Sequence, residues 1–242
     1  MNIFPTEVVF LGDAPGQPEV TTIGGRKYQR GEFYNDVPVS HYSKGGFHIT
    51  RDLAGLVVVH RTPKRRGIVL GSAPCLWDDL DASNDITRGE FETIAVNCAG
   101  VLFEGNLNIW VSAHGTALVD LIEKRRALGL DMNFDAYGNF AKSEKSGDVI
   151  RWNRSSCNGS SGLLAALVAI ELGFDKIILC GMPLVGEEGI NTDGKVAPQP
   201  TPYHHYQHGW TLLQNILRDH VRSMSGWTRE TFGAPTAEWL IE

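Results

Sequence analysis

Residues 155–182, SSCNGSSGLLAALVAIELGFDKIILCGM, decide the fold that we expect for this chain. Small, turn-forming residues near the start of the stretch predict a loop, in which Ser160 or Ser161 can cap a helix N-terminus. The residues that follow are apolar on most sides of a helix, which predicts a largely buried helix ending at Gly173. Residues 176–180 then predict a short buried strand.

This loop allows two interpretations. A small-residue loop that opens a buried helix presents free backbone N–H groups and the positive end of the helix dipole, which suit a phosphate or a carboxylate. Small residues also occur where a helix and a sheet must simply approach each other closely. Since a glycine-rich loop is a weak signal by itself, the spacing leaves both interpretations open.

Length and composition limit the class of protein. A chain of 242 residues can form one sizeable core, or a core with a small appendage. Its 42% hydrophobic and 21% charged residues are typical of soluble globular proteins. A net charge of −6 does not favour nucleic acid as the main partner. No apolar run is long enough to cross a membrane, and the first residues lack a basic region followed by an apolar core, so we expect a soluble protein that is not exported.

Four cysteines, at 75, 98, 157 and 180, lie at the ends of predicted strands or in the loops that follow them. No two of them form a Cys-x-x-Cys pair. We interpret them as small, reduced, buried residues and predict neither a zinc site nor a disulfide framework.

Three regions differ in their sequence texture. Residues 1–50 contain short strand-like pieces separated by glycine and proline turns, with a hairpin turn at Gly24-Gly25, and predict a small β module. Residues 51–66 predict a linker that ends in a basic cluster. Residues 67–242 alternate strands with helices and finish in an aromatic tail that we expect to pack back on the domain or on a neighbour. They predict an α/β domain of the Rossmann-like, doubly wound type with a mostly parallel sheet.

In such sheets ligands bind beyond the carboxyl ends of the strands, near the reversal of strand order. The predicted strands end in small residues, hydroxyls, an amide and an imidazole, which suit a nucleotide pocket. These residues are Gly71, Ser72, Ala73, Pro74, Asn97, Ser112, His114, Ser160, Ser161, Gly162, Gly181 and Met182. Neither the dinucleotide fingerprint nor a P-loop is present, which disfavours hydride transfer and P-loop ATP hydrolysis.

The N-terminal module resembles a short module common in tailed-phage gene products. The pattern comprises Phe10-Leu11-Gly12, Val20, Gly25, Tyr28, Arg30-Gly31-Glu32, Val37-Pro38-Val39 and Gly46-Phe47. Additional residues between Leu11 and Val20 depart from it. The resemblance implies a location in the virion or the host cytoplasm. It also implies an oligomer or larger assembly, with phage structural proteins as partners of the β module and the C-terminal tail.

The larger part of the chain resembles the Rossmann-like superfamily of bacterial CMP-sialic-acid sialyltransferases and flagellin-glycosylating motility accessory factors. The motifs that carry it are Gly71-Ser-Ala-Pro-Cys-Leu76, Val96-Asn97, Ser160-Ser161-Gly162 and Ile178-Leu-Cys-Gly-Met182. The resemblance implies a CMP- or UDP-linked sugar donor, with no other cofactor required. It places that donor at Gly71, Ser72, Ala73, Pro74, Asn97, Ser160, Ser161 and Gly162. The family turn is usually Gly-Asn-Gly-Pro-Ser, and Ser72, Ala73 and Cys75 depart from it here.

Those transferases also use a histidine after the last core strand as general base, which in this chain implies His204, His205 or His208. His204 and His208 are four residues apart and would share one face of a helix, as a base and its partner or as two metal ligands. No neighbouring glutamate completes a His-Glu-x-x-His site, so we predict no metal. A histidine-rich helix start that packs on aromatic residues is the structural alternative.

Two functions follow from these patterns. The first is a virion structural or docking protein built on a glycosyltransferase-like nucleotide-binding domain. The alternative is an active nucleotide-sugar-dependent glycosyltransferase that modifies a phage or host glycan or protein. The N-terminal module favours the first, and the residues at the edge of the sheet favour the second.

Overall fold

The computed structural model describes residues 65–88, 91–141, 147–152 and 157–241 in full, together with the backbone of four short strands before them. The chain divides into two compact units, of which the larger comprises Arg65–Ile170 and Phe174–Glu242. The predicted β module at 1–50 and linker at 51–66 lie largely outside the described residues.

The four N-terminal strands form two antiparallel pairs. β1 (Glu7–Val9) pairs with β4 (Phe33–Asn35). β2 (Val20–Ile23) pairs with β3 (Arg26–Gln29) on either side of the two glycines, which confirms the predicted hairpin. The predicted strand at 37–39 lies outside the described residues.

The larger unit is built on a seven-stranded parallel sheet in the order β13-β10-β5-β6-β7-β8-β9. These strands are β5 (Arg65–Leu70), β6 (Glu92–Val96), β7 (Ile109–Ser112), β8 (Asp135–Gly138), β9 (Ile150–Arg151), β10 (Phe174–Cys180) and β13 (Val221–Ser223). From β5 the chain moves outward to β9, then returns to add β10 and β13 on the other side of β5. This winding confirms the predicted Rossmann-like α/β class, and it places the reversal of strand order between β5 and β10.

Helices and one hairpin flank the sheet. The helices are α1 (Leu76–Thr87), α2 (Ala99–Leu102), α3 (Gly115–Ala127), α4 (Ser161–Glu171), α5 (Gln207–Leu212), α6 (Gln214–Leu217), α7 (Gly226–Phe232) and α8 (Ala237–Ile241), with a 3-10 helix at Tyr203–Tyr206. β11 (Glu188–Ile190) and β12 (Val196–Pro198) form an antiparallel hairpin between β10 and the 3-10 helix. No helix among the described residues is both long and apolar enough to cross a membrane.

The core surrounds α4, whose residues from Leu163 to Ala169 have no exposed surface. This burial follows from a helix that is apolar on nearly every side. In the C-terminal tail, Phe232, Trp239 and Leu240 are buried as well. The tail therefore packs back on the domain, which is one of the two arrangements predicted for it.

Three features of the sheet and its helices differ from what the sequence predicts. α1 was not predicted, because its buried face includes Asp79, Ser83 and Thr87 and so lacks an apolar period. β8 was not predicted, because Asp-Ala-Tyr-Gly has low strand propensity. β5 begins at Arg65, whose guanidinium donates to both carboxylate oxygens of Glu92 on β6, so the end of the predicted basic linker belongs to the sheet.

Candidate functional site

A cavity of about 500 Å³ opens at the carboxyl ends of the central strands, where the strand order reverses. Loops after β5, β6, β7 and β10, the start of α4 and the insertion that follows β10 form its walls. The lining residues are Gly71, Ser72, Ala73, Val96, Asn97, His114, Gly159, Ser160, Ser161, Gly162, Gly181, Met182, Pro183, Leu184, Gln199, Pro200, Thr201, Tyr203, Tyr206 and Trp210. A ligand cavity of this size at this position is usual for an open α/β sheet.

The floor is made by the loops after β5 and β10, which are bonded to each other. Gly71 N donates to Cys180 O at 2.8 Å, and Ala73 N donates to Gly181 O at 3.1 Å. A Cβ atom at Gly71 would lie 2.3 Å from Gly181 O, so only glycine permits this approach. Glycine at position 71 is therefore explained by the close packing of two backbones.

The carboxylate of Asp79 on α1 binds the backbone of the loop after β10. Its buried carboxylate Oδ2 accepts hydrogen bonds from Gly181 N at 2.8 Å and from Ser225 Oγ at 2.6 Å. Gly181 itself has a left-handed φ of 67°. The carboxylate therefore supports the floor of the cavity and does not line it.

The start of α4 forms one wall, and Ser160 is its N-cap. Ser160 Oγ accepts from Leu163 N at 3.2 Å and from Trp210 Nε1 at 3.2 Å. The N–H groups of Ser161 and Gly162 lie in the first turn and have no hydrogen-bond partner among the described residues. Because both residues line the cavity, the positive end of the helix dipole faces it.

Asn97 contributes a side-chain amide from the loop after β6. Its φ of 48° is left-handed, a conformation that asparagine tolerates better than most residues. Its carbonyl accepts from Trp110 Nε1 at 2.9 Å, and its Oδ1 accepts from Ser112 Oγ at 2.8 Å. Since Oδ1 is engaged, the group that Asn97 can offer to a ligand is the Nδ2 donor.

His114 lines the cavity from the loop after β7. Its backbone N–H donates to Ser112 Oγ at 3.0 Å, which joins it through Ser112 to Asn97, and its side chain is exposed. The sequence predicts His114 at this edge of the sheet, directly after a strand, and it lies there, after β7.

The predicted histidines lie elsewhere. Tyr203, Tyr206 and Trp210 line the cavity, whereas His204, His205 and His208 are exposed and are absent from its described lining. Residues three apart in a 3-10 helix share one face, so the two tyrosines turn inward and His204 and His205 between them turn outward. His208 is exposed on α5. Pro74, also predicted to bind, is exposed and outside the lining.

Of the other predicted binding residues, Gly71, Ser72, Ala73, Asn97, Ser160, Ser161 and Gly162 meet at this one cavity. Their role in binding stays a prediction.

Burial raises the pKa of the Tyr203 phenol, while the hydroxyl of Ser72 acts in the opposite direction. Within the described ranges, no group of three or more His, Cys, Asp or Glu side chains is arranged to hold a metal ion.

All four cysteines are free. Cys157 and Cys180 are buried, and Cys75 and Cys98 are partly buried. Burial raises the pKa of each thiol, and that of Cys180 reaches about 12. The thiols are therefore protonated at neutral pH and behave as small core groups.

The fold is a Rossmann-like α/β domain with a cavity at the reversal of its strand order. Among solved structures, the chain is similar to an MAf glycosyltransferase from Magnetospirillum magneticum AMB-1, with 14% sequence identity and a TM-score of 0.48. The match covers 73% of this chain and 33% of that one, so the chain spans about one third of the length of that glycosyltransferase. No protein-family model and no curated protein matches the sequence.

Proposed function

We propose that the cavity binds a nucleotide sugar, with its phosphate at the start of α4. The observation that carries the proposal is that one cavity is lined by residues with three donors that have no hydrogen-bond partner among the described residues: the N–H groups of Ser161 and Gly162 and the Nδ2 of Asn97. Backbone N–H groups at a helix N-terminus bind phosphate oxygens, and an amide donor adds a further hydrogen bond. The sequence motifs that resemble the sialyltransferases fall on the same residues.

The lining of the cavity also favours one kind of sugar donor over another. Among the described residues that line the cavity, none is Lys, Arg, Asp or Glu. A diphosphate carries more charge than a single phosphodiester, and it is usually held by a cation or by a metal bound to carboxylates. A donor with one phosphate, such as a CMP-linked sugar, therefore suits the cavity better than a UDP-linked one. The uncharged part of the ligand then lies toward Tyr203 and Tyr206.

A calorimetric titration of the full chain with CMP, UMP and UDP tests the proposal. We expect saturable binding, with CMP or UMP tighter than UDP. The variant Asn97→Asp keeps an oxygen for Ser112 and a residue that tolerates the left-handed backbone, but it replaces the Nδ2 donor with a negative charge. It should weaken CMP binding by about tenfold or more, equivalent to ~1.4 kcal/mol.

Asn84→Asp is the matched control, because Asn84 lies on the exposed face of α1 and the substitution makes the same change of charge. It should leave the affinity unchanged. Absence of saturable heat with all three nucleotides up to about 10 mM would overturn the proposal, since an affinity that weak could not support a donor site.

The virion role rests on the N-terminal resemblance, whose residues lie mostly outside the described part of the chain. We keep it as a separate proposal, in which the nucleotide-sugar domain is carried on or assembled with a phage particle. Mass spectrometry of purified virions tests it. A fixed copy number per particle supports the role, and absence from the particles removes it.

A further inference from the structure

Gln199 contributes a carboxamide to the cavity from the insertion that follows β10. This wall is separate from the start of α4, where the proposed phosphate site lies. The side chain is half-buried, and its carboxamide forms no hydrogen bond with any described residue. A few polar groups of this kind usually decide which ligand a cavity accepts.

The backbone that carries Gln199 is held in place. Gln199 N donates to Glu187 O at 2.7 Å beside the β11–β12 hairpin, and a proline on either side restricts the chain. Ile190 N donates to Ser72 O at 2.7 Å, which ties the same hairpin to the loop after β5. The carboxamide therefore belongs to a segment that is bonded to the floor of the cavity.

The side chain of Gln199 is confined as well. A Cβ atom at Gly189 would lie 2.2 Å from Gln199 Nε2 and 2.6 Å from the phenol oxygen of Tyr203. The carboxamide and the phenol are therefore neighbours, and glycine at 189 leaves the space that both occupy. Packed between a glycine backbone and a tyrosine, the carboxamide has fewer orientations than one on an open surface.

The chemistry of a carboxamide points to the part of the ligand that it meets. A carboxamide presents N–H donors and an acceptor oxygen side by side in one plane. The edges of nucleobases present the complementary pairing, and Gln and Asn side chains bind them through two hydrogen bonds at once. A second phosphate is not favoured at this wall, because no Lys, Arg, Asp or Glu lies in the described lining.

We infer that Gln199 binds the base of the nucleotide through its carboxamide and so determines which nucleotide the cavity prefers. The inference rests on the proposed function, because it requires the phosphate to lie at the start of α4. The base then meets the wall formed by the insertion. The rings of Tyr203 and Tyr206 in the lining add surface for stacking, which tolerates any base, so the preference among bases comes from the carboxamide.

Titration of the full chain with CMP, UMP, AMP, GMP and ribose 5-phosphate, followed by the amide NMR signals of Ser161 and Gly162, tests the inference. Ribose 5-phosphate keeps the sugar and the phosphate but lacks the base. The wild type should bind its preferred nucleotide at least about tenfold more tightly than ribose 5-phosphate and than the least favoured nucleotide, as one or two hydrogen bonds allow.

Gln199→Met keeps the length of the side chain and removes the carboxamide. It should bring the four nucleotides to within about threefold of one another, since only stacking remains, and leave the affinity for ribose 5-phosphate unchanged. Gly189→Ala should act in the same way, because its Cβ atom displaces the carboxamide. Gln214→Met makes the same chemical change on α6, outside the described lining, and should leave every affinity unchanged.

Three results would overturn the inference: equal wild-type affinities for the four nucleotides, a preference among bases that survives in Gln199→Met, or an equal loss of affinity for ribose 5-phosphate in that variant. Failure of all five compounds to bind the wild type would refute the proposed function, and the inference with it.

Discussion

Ala113 N donates a hydrogen bond of 2.9 Å to Ser161 Oγ, across 48 residues of sequence. The bond ties the loop after β7 to the first residue of α4, and it uses the hydroxyl oxygen of Ser161 as an acceptor. Ser160 Oγ is similarly engaged by Leu163 N and Trp210 Nε1. The two serines that the sequence pattern marks for binding therefore use their hydroxyl groups to build the wall of the cavity. The first turn of α4 can then offer its backbone N–H groups to a ligand.

Replacing Ser160 with alanine should destabilise the fold. The variant removes the N-cap of α4 and leaves the buried Trp210 Nε1 without its acceptor. Loss of an N-cap costs ~1 kcal/mol, and an unpaired buried donor adds about 1 kcal/mol or more. Urea denaturation should show the combined decrease in unfolding free energy. In Thr211→Ala, where only an exposed bond to Gln207 O is lost, the change should stay within ~0.5 kcal/mol.

Gly181→Ala should lower the unfolding free energy more than the same substitution at an exposed glycine with a similar φ. Gly181 has a φ of 67°, and a Cβ atom there would lie 2.8 Å from Leu76 Cβ. Gly129 has a similar φ of 70°, but a Cβ atom there would meet nothing within 4 Å. Gly129→Ala should therefore cost ~1 kcal/mol from backbone strain alone. Gly181→Ala should lower the unfolding free energy by a further ~1–3 kcal/mol, because the core must shift. Equal losses of unfolding free energy in Gly181→Ala and Gly129→Ala would contradict the close packing of the loop after β10 against Leu76.

Arg125 on α3 is fully buried and organises the neighbouring loop. Its guanidinium donates to the carbonyls of Gly100, Phe103 and Asp131 at 2.6–2.7 Å. Burial lowers its pKa, yet the three carbonyls leave it well satisfied. Arg125→Lys cannot reproduce this planar fork and leaves carbonyls unpaired, so it should lower the unfolding free energy by about 3 kcal/mol.

The adjacent Arg126 gives the matched control. It is exposed and pairs with Glu123 one turn earlier on the helix. Arg126→Lys should change the unfolding free energy by less than ~0.5 kcal/mol, as is usual for a surface ion pair. Comparable losses at 125 and 126, measured by urea denaturation, would contradict the role given to Arg125.

Tyr137→Phe should preserve or slightly raise stability at pH 7. Tyr137 has no exposed surface, its hydroxyl has no partner among the described residues, and its ring packs edge-on against Trp152. Removing an unpaired buried hydroxyl while keeping the ring relieves a desolvation cost.

The same residue predicts a loss of stability at alkaline pH. Burial, helped by Asp135, raises the pKa of Tyr137 from 10.0 to about 12. Between these values the unfolded chain releases the phenolic proton and the folded chain keeps it, so stability falls as pH rises. In Tyr137→Phe the unfolding free energy should decline less steeply between pH 10 and 12. If the unfolding free energy of Tyr137→Phe, measured by chemical denaturation, falls as steeply between pH 10 and 12 as that of the wild type, the phenol has the same pKa in the folded and unfolded chains and the prediction is wrong.

Much of the larger unit could be predicted from local sequence. The apolar helix at α4, the strand at β10 and the glycine between them show their pattern within a few residues. The alternation of such segments was sufficient to predict the α/β class and the edge of the sheet at which Gly71, Asn97 and Ser161 meet. α1 and β8 were missed because Asp79 and Ser83 face the core of the first, and Asp-Ala-Tyr-Gly lacks the residues typical of a strand.

The sequence by itself determined the parallel winding and the set of small and polar residues at one edge of the sheet, because both follow from short-range periodicity. Only the tertiary structure decided which atoms face the cavity. The segment 203–210 lies along the cavity with Tyr203, Tyr206 and Trp210 in the lining, and it leaves His204, His205 and His208 exposed. Donors 48 and 50 residues away bind the hydroxyl oxygens of Ser161 and Ser160. Such choices depend on packing between distant segments, and no local pattern encodes them.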